Sequence, residues 1–355
     1  MGRPPDGRHP RLQLRSLHTG AQRRAQGPQD RKGDPAPSLG QPYLHKVGPV
    51  PGESGPAGFK AGFVAIAGLP NAGKSTLLNT LCGFRLSIVS PRPQTTRDSV
   101  LGILNGKGFQ AVFIDTPGML SPRNLFEKGM ASDISRALNE DADLALLITE
   151  PRLPPPEKRE HLERLAGLKI PLYLLVNKID QVKDQAQVAA AVEFHKNLLP
   201  SISQVFPISA LNGDGLRELR RTLLAALPEH PPYYPTDQST DRWERFYAGE
   251  IIREELFLLF SEEIPYCCAV EVDHFREEAG RPDFIHAVVH VSRPSLKPIL
   301  LGAGGRAIRK LRENSQAKLE KLLGRPADLE LTIKVTKGWE NDQSFLKARR
   351  ENAGG

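Results

Sequence analysis

The chain has 355 residues, 39% of them hydrophobic and 25% charged, which is enough apolar material for two or three packed domains. Its 48 Lys and Arg against 41 Asp and Glu leave a net charge of +7, which is too mild to identify a partner. The three cysteines, Cys82, Cys267 and Cys268, lack the spacing of a disulfide scaffold or a structural zinc site. No run of 18 apolar residues occurs, so we expect a soluble, cytoplasmic protein.

Residues 1–60 combine frequent Pro and Gly with sparse hydrophobic residues and an excess of basic ones. Such a segment buries too little apolar surface to offset the entropy lost on ordering, so we predict a disordered basic tail. Three interpretations of the tail stay open. It is a loose basic extension, a start site placed too early, or an organellar transit peptide, although Ser is scarce for the last.

Residues 61–230 alternate short apolar runs with segments of helical length. Apolar strands separated in this way predict an α/β domain, a mostly parallel sheet with helices on both faces. Such domains bind ligands at the loops that follow the carboxyl ends of their strands. The predicted strands are residues 63–67, 111–114, 144–148, 172–176 and 205–208.

The second half of the chain has a different order of elements. Four prolines within residues 228–235 predict a stiff linker over residues 231–241. Residues 242–340 then predict a smaller α+β domain, before a C-terminal tail over residues 341–355. Its elements are a helix over 244–260, strands near 269–272, 284–291 and 329–335, and a glycine-rich turn that leads into a basic helix.

A glycine-rich segment directly after the first predicted strand fits the phosphate-binding pattern GxxxxGK[ST]. Its glycines let backbone N–H groups curl around phosphates, Lys74 can reach the β- and γ-phosphates, and the Ser75 hydroxyl can ligate Mg²⁺. The helix that follows adds the partial positive charge of its N-terminus. The predicted phosphate loop consists of Gly68, Leu69, Pro70, Asn71, Ala72, Gly73, Lys74 and Ser75.

Three later loops complete the predicted nucleotide site. Asp115 is placed to hold Mg²⁺, and Gly118 lets a backbone N–H approach the γ-phosphate. Asp180 can accept from the N1–H and exocyclic amine of guanine, and Ala210 can present its N–H to guanine O6. Adenine lacks that pair of donors, so the pattern predicts a GTPase that cycles between GTP and GDP. The loops comprise Asp115, Thr116, Pro117, Gly118 and Met119, then Asn177, Lys178, Ile179 and Asp180, then Ser209, Ala210 and Leu211.

Residues 93–98 form an otherwise polar loop in which a Thr can contact Mg²⁺ while the γ-phosphate is present and release it after hydrolysis. We prefer Thr96 to Thr95, so the predicted metal ligands are Ser75, Thr96 and Asp115. Met119 stands where many regulatory GTPases carry a Gln that orients the attacking water. The sequence therefore predicts slow intrinsic hydrolysis and identifies no catalytic residue.

Together these motifs resemble the Era family of GTPases, over about residues 60–347. The nucleotide motifs are followed by Glu-Ile-Ile-Arg-Glu at 250–254, Glu-Ile-Pro-Tyr at 263–266 and Leu-Gly-Ala-Gly-Gly at 301–305. The resemblance implies a P-loop GTPase domain followed by a type II KH domain that binds the 3′ end of small-subunit rRNA. It also implies a role in assembly of the 30S-type subunit from its precursor, a monomeric state and weak peripheral contact with the cell membrane. Related GTPases ligate K⁺ through the residue that matches Asn71.

The glycine turn fits the GXXG loop with which KH domains clamp single-stranded RNA. The basic helix after it can contact phosphates, which makes binding salt-dependent. The family commonly carries a Lys inside this loop, whereas the inner positions here are Ala and Gly, so we expect a weaker grip on RNA. The predicted RNA-binding residues are Lys297, Gly302, Ala303, Gly304, Gly305, Arg306, Arg309 and Lys310.

Three alternatives stay open at this stage. The chain could be an RNA-binding module that nucleotide only stabilises, or a GTPase with a diverged KH clamp that acts outside ribosome assembly. A tRNA-modifying GTPase is the third, but it needs a further cofactor-binding domain and a modifying Cys, and the sequence shows neither.

Overall fold

The computed structural model describes residues 58–90, 92–277 and 280–354. The predicted disorder of residues 1–60 falls on residues 1–57, outside this described part, except at its last three positions. The described strands are β1 (Lys60–Gly68), β2 (Val100–Gly106), β3 (Phe109–Asp115), β4 (Leu144–Thr149), β5 (Leu172–Val176), β6 (Ile202–Pro207), β7 (Cys268–Arg276), β8 (Asp283–Val291) and β9 (Ala327–Val335). The described α-helices are α1 (Lys74–Cys82), α2 (Leu125–Arg136), α3 (Arg159–Glu163), α4 (Gln185–Leu198), α5 (Leu216–Ala226), α6 (Glu244–Leu259), α7 (Leu296–Leu301), α8 (Arg306–Leu323) and α9 (Gln343–Gly354).

The first sheet has six strands in the order β2-β3-β1-β4-β5-β6. All neighbours in it are parallel except the edge pair β2–β3. Its central strands are buried on both faces, which is why they occur in the sequence as continuous apolar runs. Helices α1 and α5 pack on one face, and α2, α3 and α4 pack on the other. The carboxyl ends of β1, β3 and β5 therefore lie along one edge, where the predicted nucleotide loops begin.

The edge strand β2 was not predicted. It carries Gly102 in its interior, and glycine weakens the pattern by which strands are recognised. Close packing explains the glycine, because a Cβ at this position would lie 2.5 Å from Leu78 Cδ1 of α1. The absence of a side chain at Gly102 therefore lets α1 pack closely on the sheet.

The predicted linker over residues 231–241 packs on the first domain. Tyr233 is buried against Phe63 of β1, with ring centroids 4.8 Å apart. The buried Gln110 side chain accepts from the Tyr233 N–H at 2.7 Å and donates to Tyr234 O at 2.8 Å. Ser239 O accepts from the β2 backbone at 2.9 Å. The segment covers the outer edge of β2, which would otherwise expose unpaired backbone groups.

The second sheet has the order β7-β8-β9, with β7 and β8 antiparallel and β8 and β9 parallel. Helices α6 and α8 pack together on one face and bury a separate apolar core. The order of elements is α6-β7-β8-α7-α8-β9. The predicted α+β domain is therefore present, and its glycine loop lies between α7 and α8.

Within the predicted C-terminal tail over residues 341–355, Gln343–Gly354 form the helix α9, which contacts both domains. Arg349 is buried and pairs with Asp98 of the first domain, and Arg350 lies 3.3 Å from Asp133 of α2. Just before α9, Trp339 is buried and its indole N–H donates to Cys267 O at 3.2 Å. Within the described ranges, no helix combines the length and the apolar character that crossing a membrane requires.

Candidate functional site

The phosphate loop joins β1 to α1 in the geometry that the sequence predicts. Its backbone turns sharply, with φ of 65° at Asn71 and 103° at Gly73. A side chain at Gly73 would be blocked, because its Cβ would lie 2.3 Å from Asn177 Nδ2. The loop ends at the first turn of α1, whose backbone N–H groups and dipole favour an anion. Residues 68–75 thus form a ready cradle for phosphate.

Lys74 lies inside this cradle. Its Nζ donates to Gly68 O at 3.2 Å and to Leu69 O at 3.0 Å. Burial lowers the pKa of Lys74 to about 8, and the nearby Asp115 carboxylate opposes part of that shift. Burial therefore weakens the charged form of Lys74, and the negative charge of phosphate oxygens would strengthen it.

Ser75, Thr96 and Asp115, the three predicted magnesium ligands, come together in the structure. Ser75 Oγ donates to Asp115 Oδ2 at 2.8 Å and lies 2.8 Å from Thr96 Oγ1. Asp115 is fully buried at the end of β3, and its second oxygen, Oδ1, has no hydrogen-bond partner in the described part of the chain. Burial raises the pKa of Asp115, and Lys74 and the Ser75 hydroxyl act against this shift. Three oxygens with one unsatisfied carboxylate atom fit a hard divalent cation such as Mg²⁺.

Asn177, one of the predicted nucleotide-binding residues, joins two loops of the site through its side-chain amide. Its Nδ2 donates to Ala72 O at 2.8 Å, and its Oδ1 accepts from the Ala210 N–H at 2.8 Å. One buried amide therefore ties the phosphate loop to the loop that follows β6. The spacing of motifs could have suggested this, since all three loops leave one edge of the sheet.

The other residues that the sequence predicts to contact the base have different surroundings. Asp180 is exposed and lies in a short 3₁₀ turn, so its carboxylate is accessible to a base. Lys178 has φ of 65° and pairs with Glu150. The Ala210 N–H, which we expect to face guanine O6 in the complex, donates to Asn177 Oδ1 in this structure. Its neighbour Leu211 is exposed.

The loop after β3 carries the predicted γ-phosphate contact. The Met119 N–H donates to Gly68 O at 3.1 Å, and its side chain is buried in the core on one face of the sheet. An apolar, buried side chain cannot orient a water molecule. Met119 therefore does not supply the water-orienting group that many regulatory GTPases have at this position.

The predicted RNA-binding residues lie together at the junction of α7 and α8. Gly302, Gly304 and Gly305 have φ of 69°, 59° and 75°, so three of the four loop positions are left-handed. The basic side chains beside the loop are all exposed. Ile299 and Leu301 of α7 are exposed apolar neighbours. The site thus offers a glycine backbone, cations and apolar surface in one place. The exposed basic residues are Lys297, Arg306, Arg309 and Lys310.

Sequence reasoning missed a buried polar interface between the two domains. Arg97, Asp98, Arg253 and Arg349 meet there, although up to 252 positions separate them in the chain. Arg97 and Asp98 lie in the loop over 93–98 and Arg253 in the motif at 250–254, but neither segment indicates this contact and no periodicity relates them. Only the folded structure shows that these side chains meet.

Comparison with known proteins agrees with this architecture. A family model described as "50S ribosome-binding GTPase" matches residues 63–178, and one described as "KH domain" matches residues 263–340. The chain is 42% identical to GTPase Era of Elusimicrobium minutum over 289 residues, which cover 81% of this chain and 96% of that protein. It is 41% identical to GTPase Era of Geobacter metallireducens over 291 residues, which cover 81% and 97% of the two chains.

Two solved structures are similar along most of the chain. One is a variant of Aquifex aeolicus Era bound to GDP·AlF₄⁻, with 35% identity and a TM-score of 0.77. The other is Era in complex with MgGDPNP and nucleotides 1506–1542 of 16S ribosomal RNA, with 34% identity and a TM-score of 0.77. Each match covers 82% of this chain and 98% of the other. The predicted fold class, a P-loop GTPase domain followed by a KH domain, is confirmed, and so is the prediction that this enzyme is a GTPase.

Proposed function

This chain belongs to the Era family of GTPases, and we propose that it couples GTP hydrolysis to binding of the 3′ end of small-subunit rRNA during assembly of that subunit. The exposed basic row Arg306, Arg309 and Lys310, which begins at a left-handed glycine loop, carries the proposal. This row would supply the RNA-binding surface that the GTPase domain lacks. A solved relative holds the corresponding RNA fragment.

We propose that residues 68–75, 115–119, 177–180 and 209–211 hold GTP. Lys74 neutralises the β- and γ-phosphates from inside the loop. Ser75, Thr96 and Asp115 would hold Mg²⁺, which supplies charge stabilisation as the bond to the γ-phosphate breaks. Asp180 selects guanine through its exposed carboxylate. Because Met119 cannot align water, hydrolysis rests on positioning and charge stabilisation, and we expect it to be slow.

Asn71 gives a further prediction about ions. The resemblance implies that this residue ligates K⁺ beside the phosphates, where a monovalent cation would add positive charge to the developing transition state. Replacing K⁺ with Na⁺ at constant ionic strength should then slow GTP turnover. Equal rates in the two salts would remove K⁺ from the proposed cofactors.

The structure supports a timed role for the nucleotide. The loop over 93–98 lies between the phosphate site and the second domain, so a change in its conformation alters contacts with both. In the proposed cycle, GTP orders this loop and the domains hold RNA, and hydrolysis relaxes the loop and releases RNA. Monomeric state and peripheral membrane contact stay predictions from the resemblance.

The RNA half of the proposal is tested by fluorescence anisotropy with a labelled single strand that copies the 3′ end of 16S-type rRNA. Arg309→Ala should weaken binding and reduce the slope of log affinity against log salt by about one, because one phosphate contact is lost. Lys107→Ala, an equally exposed cation on the β2–β3 turn, is the matched control and should bind as the wild type does. Equal affinity for a scrambled strand would contradict recognition of that RNA.

A further inference from the structure

The loop over residues 93–98 is gripped by the second domain through Arg97. This guanidinium donates to Pro265 O at 3.0 Å and to Cys268 O at 2.6 Å, both in the KH domain. It lies 5.8 Å from the centre of the Phe257 ring on α6, within the range of a cation–π contact. The side chain is buried, so these contacts are shielded from solvent. The loop is thus anchored at a point one residue past Thr96.

A second anchor acts one residue before Thr96. Arg253 of α6 donates to Thr95 O. The same guanidinium donates to Glu250 on the preceding turn, through Nε at 2.8 Å and through Nη2. The Arg253 side chain is 2% exposed, and its pairing with Glu250 fixes its orientation. The Thr95 carbonyl is therefore held by a rigid, charged donor from the other domain.

A third anchor follows at Asp98, which forms a two-bonded ion pair with Arg349 of α9, one bond measuring 3.1 Å. Arg349 is buried, and the Asp98 side chain is 15% exposed. Through this ion pair, α9 also holds the loop.

Thr96, between these anchors, is the position that faces the nucleotide site. Its hydroxyl lies 2.8 Å from Ser75 Oγ. The backbone of Thr96 is therefore held on both sides, at the Thr95 carbonyl and through the Arg97 side chain. The location of the Thr96 hydroxyl is consequently set by residues outside the GTPase domain.

We propose that Arg253 is a positioning residue for GTP hydrolysis, because its hold on the Thr95 carbonyl sets where the Thr96 hydroxyl meets the metal. The inference rests on the proposed role of Thr96 as a magnesium ligand. GDP binding does not need this ligand, since the loop contact is made when the γ-phosphate is present. Arg253 therefore acts on the rate of hydrolysis and its metal requirement, and leaves GDP affinity alone.

Single-turnover GTP hydrolysis by the full chain at varied Mg²⁺ tests this. Arg253→Met should lower the rate about tenfold, since small misplacements of a reacting group cost factors of this size, and raise the half-saturating Mg²⁺ concentration. GDP affinity should stay within about twofold of wild type. Arg253→Lys keeps a charge near Glu250 and one donor for the carbonyl, so it should restore part of the rate.

The matched control is Arg245→Met on the same helix. Arg245 donates to Val272 O at 2.9 Å and to Asp273 O, both inside the KH domain, and within the described part of the chain it forms no hydrogen bond or ion pair with residues 93–98. The Arg245→Met variant should hydrolyse GTP at the wild-type rate. A wild-type rate and Mg²⁺ dependence in Arg253→Met would overturn the proposal, and so would an equal slowing in Arg245→Met or a parallel loss of GDP affinity.

Two more variants separate the possible failures. Should Arg253→Met not fold, Arg349→Met frees Asp98 on the same loop, and an unchanged rate there overturns the proposal. Thr96→Ala tests the metal ligand directly. If Thr96→Ala hydrolyses GTP slowly while Arg253→Met hydrolyses it at the wild-type rate, the proposed metal site stands and the role of Arg253 is refuted. If Thr96→Ala hydrolyses GTP at the wild-type rate, both the metal ligand and the role of Arg253 are refuted.

Discussion

Lys74 should give nucleotide binding a measurable dependence on pH. Burial lowers its pKa to about 8 in the free protein. The phosphates of GDP bring negative charge against the ammonium, which favours the protonated form and raises its pKa in the complex. Binding therefore takes up a proton at pH values above about 8, and affinity falls as the pH rises through that value.

The size of the effect follows from this single titration. With a free pKa of about 8 and a bound pKa well above about 9, affinity for GDP falls about fourfold from about pH 7.0 to about pH 8.5. That is about 0.8 kcal/mol of binding free energy. Proton uptake rises over the same interval from about 0.1 to about 0.8 per GDP bound. The range ends at about pH 8.5 because guanine must keep its N1 proton to donate a hydrogen bond to Asp180.

Isothermal titration calorimetry in two buffers of different ionisation enthalpy measures both quantities. Lys74→Arg is the control, because a guanidinium stays charged throughout this range, and its GDP affinity should be flat with pH. The same proton uptake in wild type and Lys74→Arg would refute the assignment to Lys74. So would a wild-type affinity that does not change between the two pH values.

Three further predictions concern the buried contacts. Asn177→Ala leaves the Ala72 carbonyl and the Ala210 N–H without a partner, at about 1–3 kcal/mol each, so GDP affinity measured by fluorescence titration should fall at least about tenfold; unchanged affinity would contradict the tethering role. Trp339→Ala removes a side chain that is 1% exposed and should cost about 3–5 kcal/mol of stability, seen as a lower midpoint of thermal unfolding; an unshifted midpoint would show that the C-terminal segment is not docked. Gly302→Ala puts a Cβ 2.9 Å from a backbone nitrogen of α8 at a φ of +69°, so anisotropy should show weaker RNA binding, and wild-type affinity would argue against the glycine clamp.

Much of the nucleotide site could be predicted because its determinants are local. Lys74 and Ser75 belong to one short motif. Asp115 ends β3 and Asn177 directly follows β5, and both strands are buried on two faces and therefore form apolar runs in the sequence. Parallel strands bring their carboxyl ends to one edge, so the separate motifs had to meet there. The predicted magnesium ligands Ser75 and Asp115 come together for that reason.

The contacts between domains could not be predicted in this way. Arg253 reaches Thr95 across 158 positions and Arg349 reaches Asp98 across 251, and neither pairing follows from periodicity or motif. Tyr233, among prolines, resembled part of a linker, although its ring completes the core beside Phe63. Such docking depends on shape complementarity that exists only once both surfaces have folded.

The central claim is that the GTP site and the glycine loop work as one switch. GTP turnover by the full chain, with and without a short single strand that copies the 3′ end of small-subunit rRNA, tests it most directly. The account predicts faster turnover with the RNA, and loss of that acceleration when Gly302 and Gly305 are both changed to Asp. Binding of the RNA with no change in turnover would contradict the claim.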